Sequence, residues 1–340
     1  MKSVPANHEF PCNGAIPSPG QAKAWYGAIL PALLKRHGCH SYWGFPLPFI
    51  KVPGIWYVTS VMDVYFLLLP RIEQWSWRRR MRSWPQWLLS YWATWRTIQV
   101  ADHVVVISQA TGKDLQHFFH LKTWEMVPPA PDITPDTATD PPAKPDHPYI
   151  LAVGGFQPFR NRERLIRAYA QASSRQTSVV RLVIVGQFAN SQQHAEYVSL
   201  CRQLGVAGQV DFVTDADDGQ LAKWYRNAQG LIHPTLCEGF GMPVVEALAF
   251  GKAVAVSTAG AAPEAAGGWE VMQFHPHDVE QMAEALAVLW NAAPSAPAVV
   301  QARQAYARSF SWETSADITA KLLISPDKRN GSGHQQLGRR

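Results

Sequence analysis

Two glutamates, Glu238 and Glu246, bracket a glycine-rich turn between an apolar strand and a helix. The strand is predicted over Gly230–His233 and the helix from about residue 241, because Pro243 has no backbone N–H to lose and a φ suited to a first turn. A strand–turn–helix unit directs backbone N–H groups and the positive end of the helix dipole at an anion. A diphosphate there would have one carboxylate on each side. One could bind sugar hydroxyls and the other ribose hydroxyls.

The elements around this unit predict an α/β fold. In the second half, apolar strands alternate with amphipathic helices, which is typical of a parallel sheet covered on both faces. We predict strands at 149–153, 179–185, 210–213, 230–233, 253–257 and 271–274. We predict helices at 161–173, 194–204, 219–228, 242–250, 279–290 and 298–309, with a last helix after Phe310.

The first half has fewer clear elements. Strands are predicted at 54–60 and 103–108, and residues 40–47 indicate an aromatic loop or a short strand. A helix is predicted at 22–36, which Pro31 should kink or end, and another at 109–119, capped by Ser108 or Thr111. Asp63 follows the strand at 54–60, at the end where a doubly wound sheet places ligand-facing groups.

Length and composition limit the class of protein. A chain of 340 residues, nearly half of them hydrophobic, allows two domains, and the eight prolines within 128–148 predict a linker. We therefore expect domains at 1–127 and 149–311, a last helix at 312–324 and a disordered tail at 325–340. Four cysteines without a CxxC spacing argue against a zinc site or a disulfide framework and favour a reducing cytoplasm. No signal segment is expected, because the start, MKSVPANHEFPC, has no charged stretch followed by an apolar one. No membrane-spanning helix is expected, because Lys51, Pro53 and Asp63 interrupt the longest apolar region, 50–70.

Residues 71–96 combine six tryptophans with six arginines. Tryptophan and arginine together suit a membrane interface, where the indole lies at the headgroup level and the guanidinium meets lipid phosphate. A helix that faces the core and has a solvated basic side explains the segment equally well. The net charge of +5 favours anionic partners, but no nucleic-acid motif accompanies the basic segment. We therefore expect no nucleic-acid partner.

The region around the two glutamates resembles the family-4 retaining glycosyltransferases, which have the GT-B fold. Their signature, E-x7-E within E-G-F-G-[LM]-P-x-x-E-A, is matched at every fixed position by Glu238-Gly239-Phe240-Gly241-Met242-Pro243 through Glu246-Ala247. The sequence GKAVAVS at 251–257 and Pro263-Glu264 continue the resemblance. The segment with Ser108 and Thr111 resembles the family's V-I-x-V-S-x-x-T-x-x-D-L.

This resemblance implies two Rossmann-like domains whose parallel sheets face a cleft between them. It further implies that the last helix, 312–324, is a crossover helix that packs on the first domain. It also implies a nucleotide-sugar donor and no metal cofactor. Glu238 would bind the C3 and C4 hydroxyls of the sugar or stabilise positive charge at the anomeric carbon. Glu246 would bind the ribose, and Asp63 could orient an acceptor hydroxyl. Further donor contacts are expected from Gly239, Phe240, Gly241, Met242 and Glu264.

The turn after the first strand of the second domain should bind the leaving diphosphate. Its sequence, VGGFQPFRN at 153–161, resembles the family's V-G-x-x-x-P-R-K-N, with Arg160 in place of the phosphate-binding lysine. A guanidinium can hold a phosphate with two hydrogen bonds. We therefore expect donor contacts from Gly154, Gly155, Arg160 and Asn161.

Three departures from the family pattern affect the expected site. Phe159 stands where a second cation is common, so either Arg162 or Arg164 compensates or the phosphate is bound more weakly. Met62 replaces the histidine that often precedes the aspartate at position 63. The family's first strand and its glycine-rich turn are not recognisable before residue 22, so the first domain is expected to be shortened or altered there.

A competing metal motif, D-x-D at Asp215 and Asp217, belongs to the other large glycosyltransferase fold. Because it directly precedes a predicted helix, Asp217 or Asp218 is better interpreted as an N-cap.

The leading hypothesis is a cytoplasmic enzyme, peripheral on the inner face of the plasma membrane, that transfers a sugar from a GDP- or UDP-linked donor. Mannose is the first expectation, and the acceptor would be a cell-surface polysaccharide or a lipid-linked glycan. The alternative is a non-catalytic subunit of a membrane synthase complex that binds a nucleotide sugar or a glycan.

Overall fold

Two sheets, each with all its strands parallel, organise the chain. The computed structural model describes residues 28–45, 51–72, 77–137 and 147–324. Its strands are β1 (Ser41–Gly44), β2 (Trp56–Val61), β3 (His103–Val106), β4 (Glu125–Met126), β5 (Tyr149–Val153), β6 (Arg181–Val185), β7 (Val210–Val213), β8 (Gly230–His233), β9 (Ala253–Ser257) and β10 (Glu270–Phe274).

The helices mostly connect successive strands, as parallel pairing requires. They are α1 (Leu30–Arg36), α2 (Tyr65–Ile72), α3 (Trp77–Val100), α4 (Gln109–Phe119), α5 (Arg162–Ser173), α6 (Ser191–Gln203), α7 (Asp218–Asn227), α8 (Met242–Ala249), α9 (Ala262–Ala266), α10 (Val279–Trp290), α11 (Pro297–Arg308) and α12 (Trp312–Leu322).

The first domain is built on a sheet of order β1-β2-β3-β4. Val58 of β2 pairs with His103 of β3, so both strands end near residues 61 and 106 at the same edge of the sheet. Helix α12 comes from the far end of the chain but packs here: Leu322 joins the buried cluster of Val58 and Val105. This is the crossover that the family resemblance implies.

The second domain is built on a sheet of order β10-β9-β8-β5-β6-β7. The central strand β5 is buried along its whole length, because helices cover both faces. Chain order changes direction between β5 and β8, which are neighbours in the sheet. In open parallel sheets, ligands bind in the crevice at such a switch point, beyond the carboxyl ends of the strands. The turns after β5 and β8 therefore frame the expected binding crevice.

Helix α3 exposes a stripe of large apolar side chains. Trp84, Leu88, Trp92 and Trp95 are 42–54% exposed, and their spacing of four, four and three residues places them on one face of the helix. We call this set the α3 stripe. Across the described ranges, no helix combines the length and the apolar character that crossing a membrane requires.

The two-domain α/β architecture confirms the expected fold class, while several boundaries differ. Pro31 lies in the first turn of α1 instead of ending that helix; residues 22–27 of the predicted helix lie outside the described residues. Helix α6 begins at Ser191, because the Asn190 side chain accepts the backbone N–H of Gln193 and caps the helix earlier than predicted. The short elements β4 and α9 were not predicted from the sequence.

Candidate active site

Glu238 follows β8, in the turn before α8, and three side chains contact its carboxylate. Arg160 Nη1 donates to Oε2 at 2.6 Å, and His233 Nε2 lies 2.9 Å from the same oxygen. Tyr65, at the start of α2 in the first domain, donates its hydroxyl to Oε1 at 3.0 Å. Two predicted site residues, Glu238 and Arg160, are therefore brought together, and they form a direct ion pair.

These contacts keep Glu238 ionised. Burial alone would raise the pKa of its carboxyl, but the hydrogen bond from His233 and the charge of Arg160 outweigh that effect and lower the pKa to about 2. Burial lowers the pKa of His233, which favours the neutral imidazole. A neutral imidazole with its proton on Nε2 donates to the glutamate. The crevice thus holds the fixed negative charge of Glu238 beside the guanidinium of Arg160.

The glycine after Glu238 allows the two domains to meet closely. A Cβ at Gly239 would lie 2.6 Å from the carbonyl oxygen of Met62, so no side chain fits there. The hydroxyl of Thr111, in α4, donates to the carbonyl of Met62 at 3.2 Å and lies 3.3 Å from that of Gly239. Met62, which stands in place of the family's histidine, thus contributes its backbone to the contact between the domains.

The backbone N–H of Gly239 donates to the hydroxyl of Tyr65 at 2.6 Å. Gly241 and Met242 follow at the start of α8, where the first N–H groups of a helix have no partner within it. Phe240 turns its ring into the core, against Phe310. That these four residues contact a donor stays a prediction.

Arg160 and Phe159 close the other side of the crevice, in the turn between β5 and α5. The ring of Phe159 packs between two partners: the ring of Tyr65, at 5.0 Å between centroids, and the guanidinium of Arg160, 5.1 Å from its centroid. Phe159, which stands where the family commonly has a second cation, is therefore part of an aromatic contact between the domains.

Arg162 lies behind the glycine turn, and whether it or Arg164 compensates for Phe159 stays a prediction. Its guanidinium is buried and donates from Nη2 to the carbonyls of Val153 at 2.8 Å and Gly154 at 2.7 Å. Burial, followed by the charge of Arg160, lowers its pKa to about 9. Arg162 therefore holds the turn in place by binding its carbonyl groups.

The other residues of this turn are placed by backbone and amide contacts. Gly154 has a φ of 110°, a conformation that favours glycine, and its N–H donates to Val185 O at 2.9 Å. The side-chain amide of Asn161 donates to the carbonyls of Pro234 and Pro276, and Asn161 also accepts a hydrogen bond from Arg164. Asn161 thus joins the turns after β5, β8 and β10. Direct donor contacts from Gly154, Gly155 and Asn161 stay predictions.

Glu246 lies inside α8 in a different environment. It is 7% exposed, and its Oε2 accepts the hydroxyl of Tyr225 at 2.6 Å. Burial raises the pKa of Glu246 to about 7; the Tyr225 bond and the N–H of Ile133 oppose that shift, and the nearby charge of Asp132 adds to it. Its predicted ribose contact stays a prediction.

Glu264, in α9, reaches the first domain. Its two carboxylate oxygens accept the backbone N–H groups of Gln109 at 2.8 Å and Ala110 at 3.1 Å, the first residues of α4. A carboxylate at a helix N-terminus is stabilised by the helix dipole. In this structure Glu264 therefore joins the domains, and the donor contact predicted for it stays a prediction.

Asp63 lies between β2 and α2, close to Glu238. Its Oδ1 accepts the backbone N–H of Tyr65 at 3.1 Å, which fixes the start of α2. Burial raises its pKa, the Tyr65 bond opposes this, and the charge of Glu238 raises it further. The role predicted for Asp63 with an acceptor hydroxyl stays a prediction.

The D-x-D motif caps a helix. Asp217 Oδ1 accepts the N–H of Gln220 at 2.7 Å, and the Gln220 side chain accepts the N–H of Asp217 in return, so the predicted N-cap of α7 is confirmed. In the part of the chain that the structure describes, no group of three His, Cys, Asp or Glu residues could hold a metal ion.

Two tyrosines that contact the motif glutamates, Tyr65 and Tyr225, were not predicted from the sequence. Tyr65 is 173 positions from Glu238 and Tyr225 is 21 positions from Glu246, so no local spacing connects them. The one available signal for Tyr65 was its place two residues after Asp63, at the start of a helix.

Comparison with protein families gives a match to the family model "Glycosyl transferases group 1" over residues 135–305, half of the chain. Two of its similar curated relatives are D-inositol 3-phosphate glycosyltransferases. The one from Kribbella flavida is 33% identical over 177 residues, which cover 50% of this chain and 42% of the relative. The one from Corynebacterium aurimucosum is 29% identical over 219 residues, 63% of this chain and 49% of the relative. The chain thus spans less than half the length of these relatives.

Solved structures of similar fold include WaaG, a glycosyltransferase involved in lipopolysaccharide biosynthesis. It has a TM-score of 0.68 and 20% identity, and the match covers 92% of this chain and 85% of WaaG. Anabaena Alr3699/HepE, solved in complex with UDP-glucose, has a TM-score of 0.60 and 18% identity over 79% of this chain and 72% of its own. At these identities the similarity shows a shared fold.

Proposed function

The chain belongs to the group 1 glycosyl transferases, and from that premise we propose that it transfers a sugar from a nucleotide-sugar donor to a glycan acceptor. The observation that carries this proposal is the position of Glu238. It lies at the switch point of the second sheet, ionised, between Arg160 of the same domain and Tyr65 of the other. A nucleotide sugar in this crevice would contact both domains.

The proposed reaction breaks the bond between the anomeric carbon and the diphosphate. Arg160 and the N–H groups at the start of α8 would stabilise the charge on the leaving oxygen, without a metal. The ionised Glu238 would bind the sugar hydroxyls or stabilise positive charge at the anomeric carbon. The acceptor's hydroxyl oxygen would bond to the anomeric carbon on the same face from which the diphosphate leaves, and the leaving phosphate would accept the hydroxyl proton. This route retains the configuration and needs no separate general base.

For the donor we propose a GDP- or UDP-linked hexose, with mannose as the first candidate. The fold shared with a protein solved with UDP-glucose supports testing UDP donors with equal weight. For the acceptor we propose a cell-surface polysaccharide or a lipid-linked glycan. The similarity to a glycosyltransferase of lipopolysaccharide biosynthesis and to inositol phosphate glycosyltransferases makes both a glycolipid and a phosphorylated polyol reasonable first acceptors.

A thermal-shift panel tests the donor site. GDP, UDP, ADP and dTDP are added to the protein with and without EDTA, since a nucleotide that binds only the folded state raises Tm by mass action. We expect GDP or UDP to raise Tm equally with and without the chelator. Nucleoside diphosphate release from the matching nucleotide sugar then tests turnover.

Two outcomes would contradict the proposal. If EDTA abolishes the shift, metal independence is wrong. If no nucleotide raises Tm and no donor is turned over with a glycolipid acceptor mixture, the enzyme proposal fails and a non-catalytic glycan-binding role becomes the better hypothesis.

We also propose that the protein works in the cytoplasm at an anionic membrane surface, to which the α3 stripe binds. The stripe exposes three indoles on one face of a helix that also contains Arg78, Arg79, Arg80 and Arg82. Indoles at headgroup level and guanidinium groups near lipid phosphate each favour that location. Helix α3 would lie in the plane of the membrane surface, with the α3 stripe at the boundary between the headgroups and the acyl chains.

Co-sedimentation with vesicles tests this surface. We expect binding to vesicles of mixed phosphatidylglycerol and phosphatidylcholine, loss of binding when Trp84, Leu88 and Trp92 are replaced by serine, and weaker binding at high salt. Trp312→Ser is the matched control, because Trp312 is 54% exposed on another helix. Equal binding by the triple variant, or binding that ignores anionic lipid, would contradict the proposal.

A further inference from the structure

Among the described residues of the first domain, Tyr65 is the only one whose side chain forms a hydrogen bond with the carboxylate of Glu238. We propose that Tyr65 is a positioning residue through which the first domain orients Glu238 for the reaction, an inference that rests on the proposed function. Its hydroxyl donates to Glu238 Oε1 at 3.0 Å and accepts the N–H of Gly239 at 2.6 Å. One hydroxyl therefore holds both the carboxylate and the turn that carries it.

The hydrogen bonds of Glu238 show why a third donor matters. A carboxylate has about four lone-pair directions. Arg160 and His233 both contact Oε2, and Tyr65 takes one direction on Oε1. A direction on Oε1 remains for a substrate hydroxyl, and the bond from Tyr65 fixes where it points. Without Tyr65, the carboxylate could rotate about the bonds that Oε2 still makes.

The geometry of Tyr65 is itself fixed from two sides. The side chain of Asp63 accepts its backbone N–H, and the ring of Phe159 packs against its ring at 5.0 Å between centroids. An aromatic pair of this kind stabilises a contact by more than the burial of its apolar area alone would. Phe159 stands where the family commonly has a second cation, and at that position its ring supports Tyr65.

The chemical state of Tyr65 suits a donor. Burial raises the pKa of its phenol well above the ordinary value, and the charges of Glu238 and Asp63 raise it further, so the hydroxyl keeps its proton at any working pH. The competing role is that of a placeholder, in which the Tyr65 hydroxyl fills the position of a sugar hydroxyl until the donor displaces it. The two roles predict opposite effects of removing the hydroxyl.

The experiment compares Tyr65→Phe with the unmodified protein, measuring steady-state release of nucleoside diphosphate from UDP-glucose and GDP-mannose and the Kd of UDP and GDP. We expect kcat to fall about 10- to 100-fold, the loss typical of a hydrogen bond to a charged group, while the nucleotide Kd changes less than about threefold. Tyr169→Phe is the matched control: it removes a tyrosine hydroxyl that bonds Val180 O at 2.7 Å, outside the crevice, and should leave kcat unchanged.

A double-mutant cycle shows whether Tyr65 acts through Glu238. If it does, Tyr65→Phe costs little further activity in the Glu238→Gln background. The inference would be overturned if the two substitutions had additive effects on the activation free energy, or if Tyr65→Phe left kcat unchanged. An unchanged kcat together with tighter donor binding would favour the placeholder role. If the unmodified protein releases no nucleoside diphosphate, the proposed function fails first and removes the basis of this inference.

Discussion

Glu238 and Glu246 stand at the two ends of one motif and are surrounded in opposite ways. The carboxylate of Glu238 accepts hydrogen bonds from a guanidinium, an imidazole and a phenol, and these contacts lower its pKa to about 2 despite its burial. Glu246 is buried beside Tyr225 and near Asp132, and its pKa is raised to about 7. The motif therefore fixes where two carboxylates lie along a turn and a helix, while their burial and their hydrogen-bond partners, which include side chains distant in the chain, decide their charge.

This difference assigns different chemistry to the two residues. A carboxylate that is always ionised can stabilise positive charge or accept hydroxyl hydrogen bonds throughout the working pH range. A carboxylate that titrates near neutrality is ionised in only part of the molecules, so its interactions depend on pH. We expect the charge of Glu238 to matter for turnover and that of Glu246 to matter for stability.

The largest expected effect is the loss of turnover in Glu238→Gln. This change keeps the shape and removes the charge, so we expect donor turnover to fall on the order of 1,000-fold, comparable to the loss of one electrostatic stabiliser of a transition state. Nucleotide Kd should stay nearly the same. Glu280→Gln is the control, since Glu280 pairs with Arg175 on the surface. A loss of less than about tenfold would show that the charge of Glu238 is dispensable.

The second effect is a stability difference that depends on pH in Glu246→Gln. Because the folded state holds the Glu246 proton up to about pH 7, while the unfolded chain releases it near 4.5, the free energy of unfolding should fall as pH rises between these values. The difference of about 2.5 pKa units corresponds to at most about 3 kcal/mol.

Urea unfolding of the wild type and Glu246→Gln at pH 4.5 and pH 8 measures this effect. The glutamine variant should gain stability relative to the wild type as pH rises. Glu238→Gln should behave oppositely in acid, because a lowered folded pKa gives stability that is lost as pH falls from about 4.5 to about 2. A stability difference for Glu246→Gln that is the same at both pH values would contradict the raised pKa.

A smaller effect is expected from Tyr225→Phe, the counterpart of Tyr65→Phe at the other glutamate. It removes the hydrogen bond to Glu246 Oε2 and should cost about 1–3 kcal/mol of unfolding free energy, because a buried acceptor loses its partner. The pKa of Glu246 should rise further. Turnover at saturating donor should change little. A drop in kcat as large as that of Tyr65→Phe would remove the distinction between the two glutamates.

The smallest effect is expected from Glu264→Gln. A neutral amide still accepts a backbone N–H but loses the attraction between the carboxylate and the dipole of α4, which is worth about 0.3–1 kcal/mol. Thermal unfolding should show a small decrease in Tm. If the only role of Glu264 is to join the domains, the nucleotide Kd stays constant; a weaker Kd would instead support its predicted donor contact.

The second domain was predicted closely because its central strands are largely apolar. Strands β5, β8 and β9 match their predicted bounds, since burial on both faces leaves an apolar run that turn residues end clearly. The edge strand β7 also matches its predicted bounds, although it is only partly buried. Residues 154–161 and 239–242 were also predicted to bind one diphosphate, with the family resemblance as the basis for the first turn. The structure places the two turns after neighbouring strands, β5 and β8, although the order of the strands was not predicted from the sequence.

What could not be predicted depends on contacts between distant segments. The place of Arg162 behind the glycine turn depends on carbonyl groups whose direction only the folded turn defines. Asp132 and Ile133 affect Glu246 from a segment that the sequence indicates to be linker. Tyr65 reaches Glu238 only because Gly239 permits the first domain to approach.

The return of α12 to the first domain has a mechanical consequence. The chain passes between the domains twice, and the two passages are joined: Trp312 Nε1 donates to Asp132 Oδ1 at 3.1 Å, and Ser315 Oγ donates to Pro128 O at 2.5 Å. Two bound segments side by side act as a hinge with a fixed axis, allowing bending but resisting twist. If the proposed transfer requires the cleft to open, we expect the cleft to widen at the Tyr65 end while the hinge end keeps its hydrogen bonds.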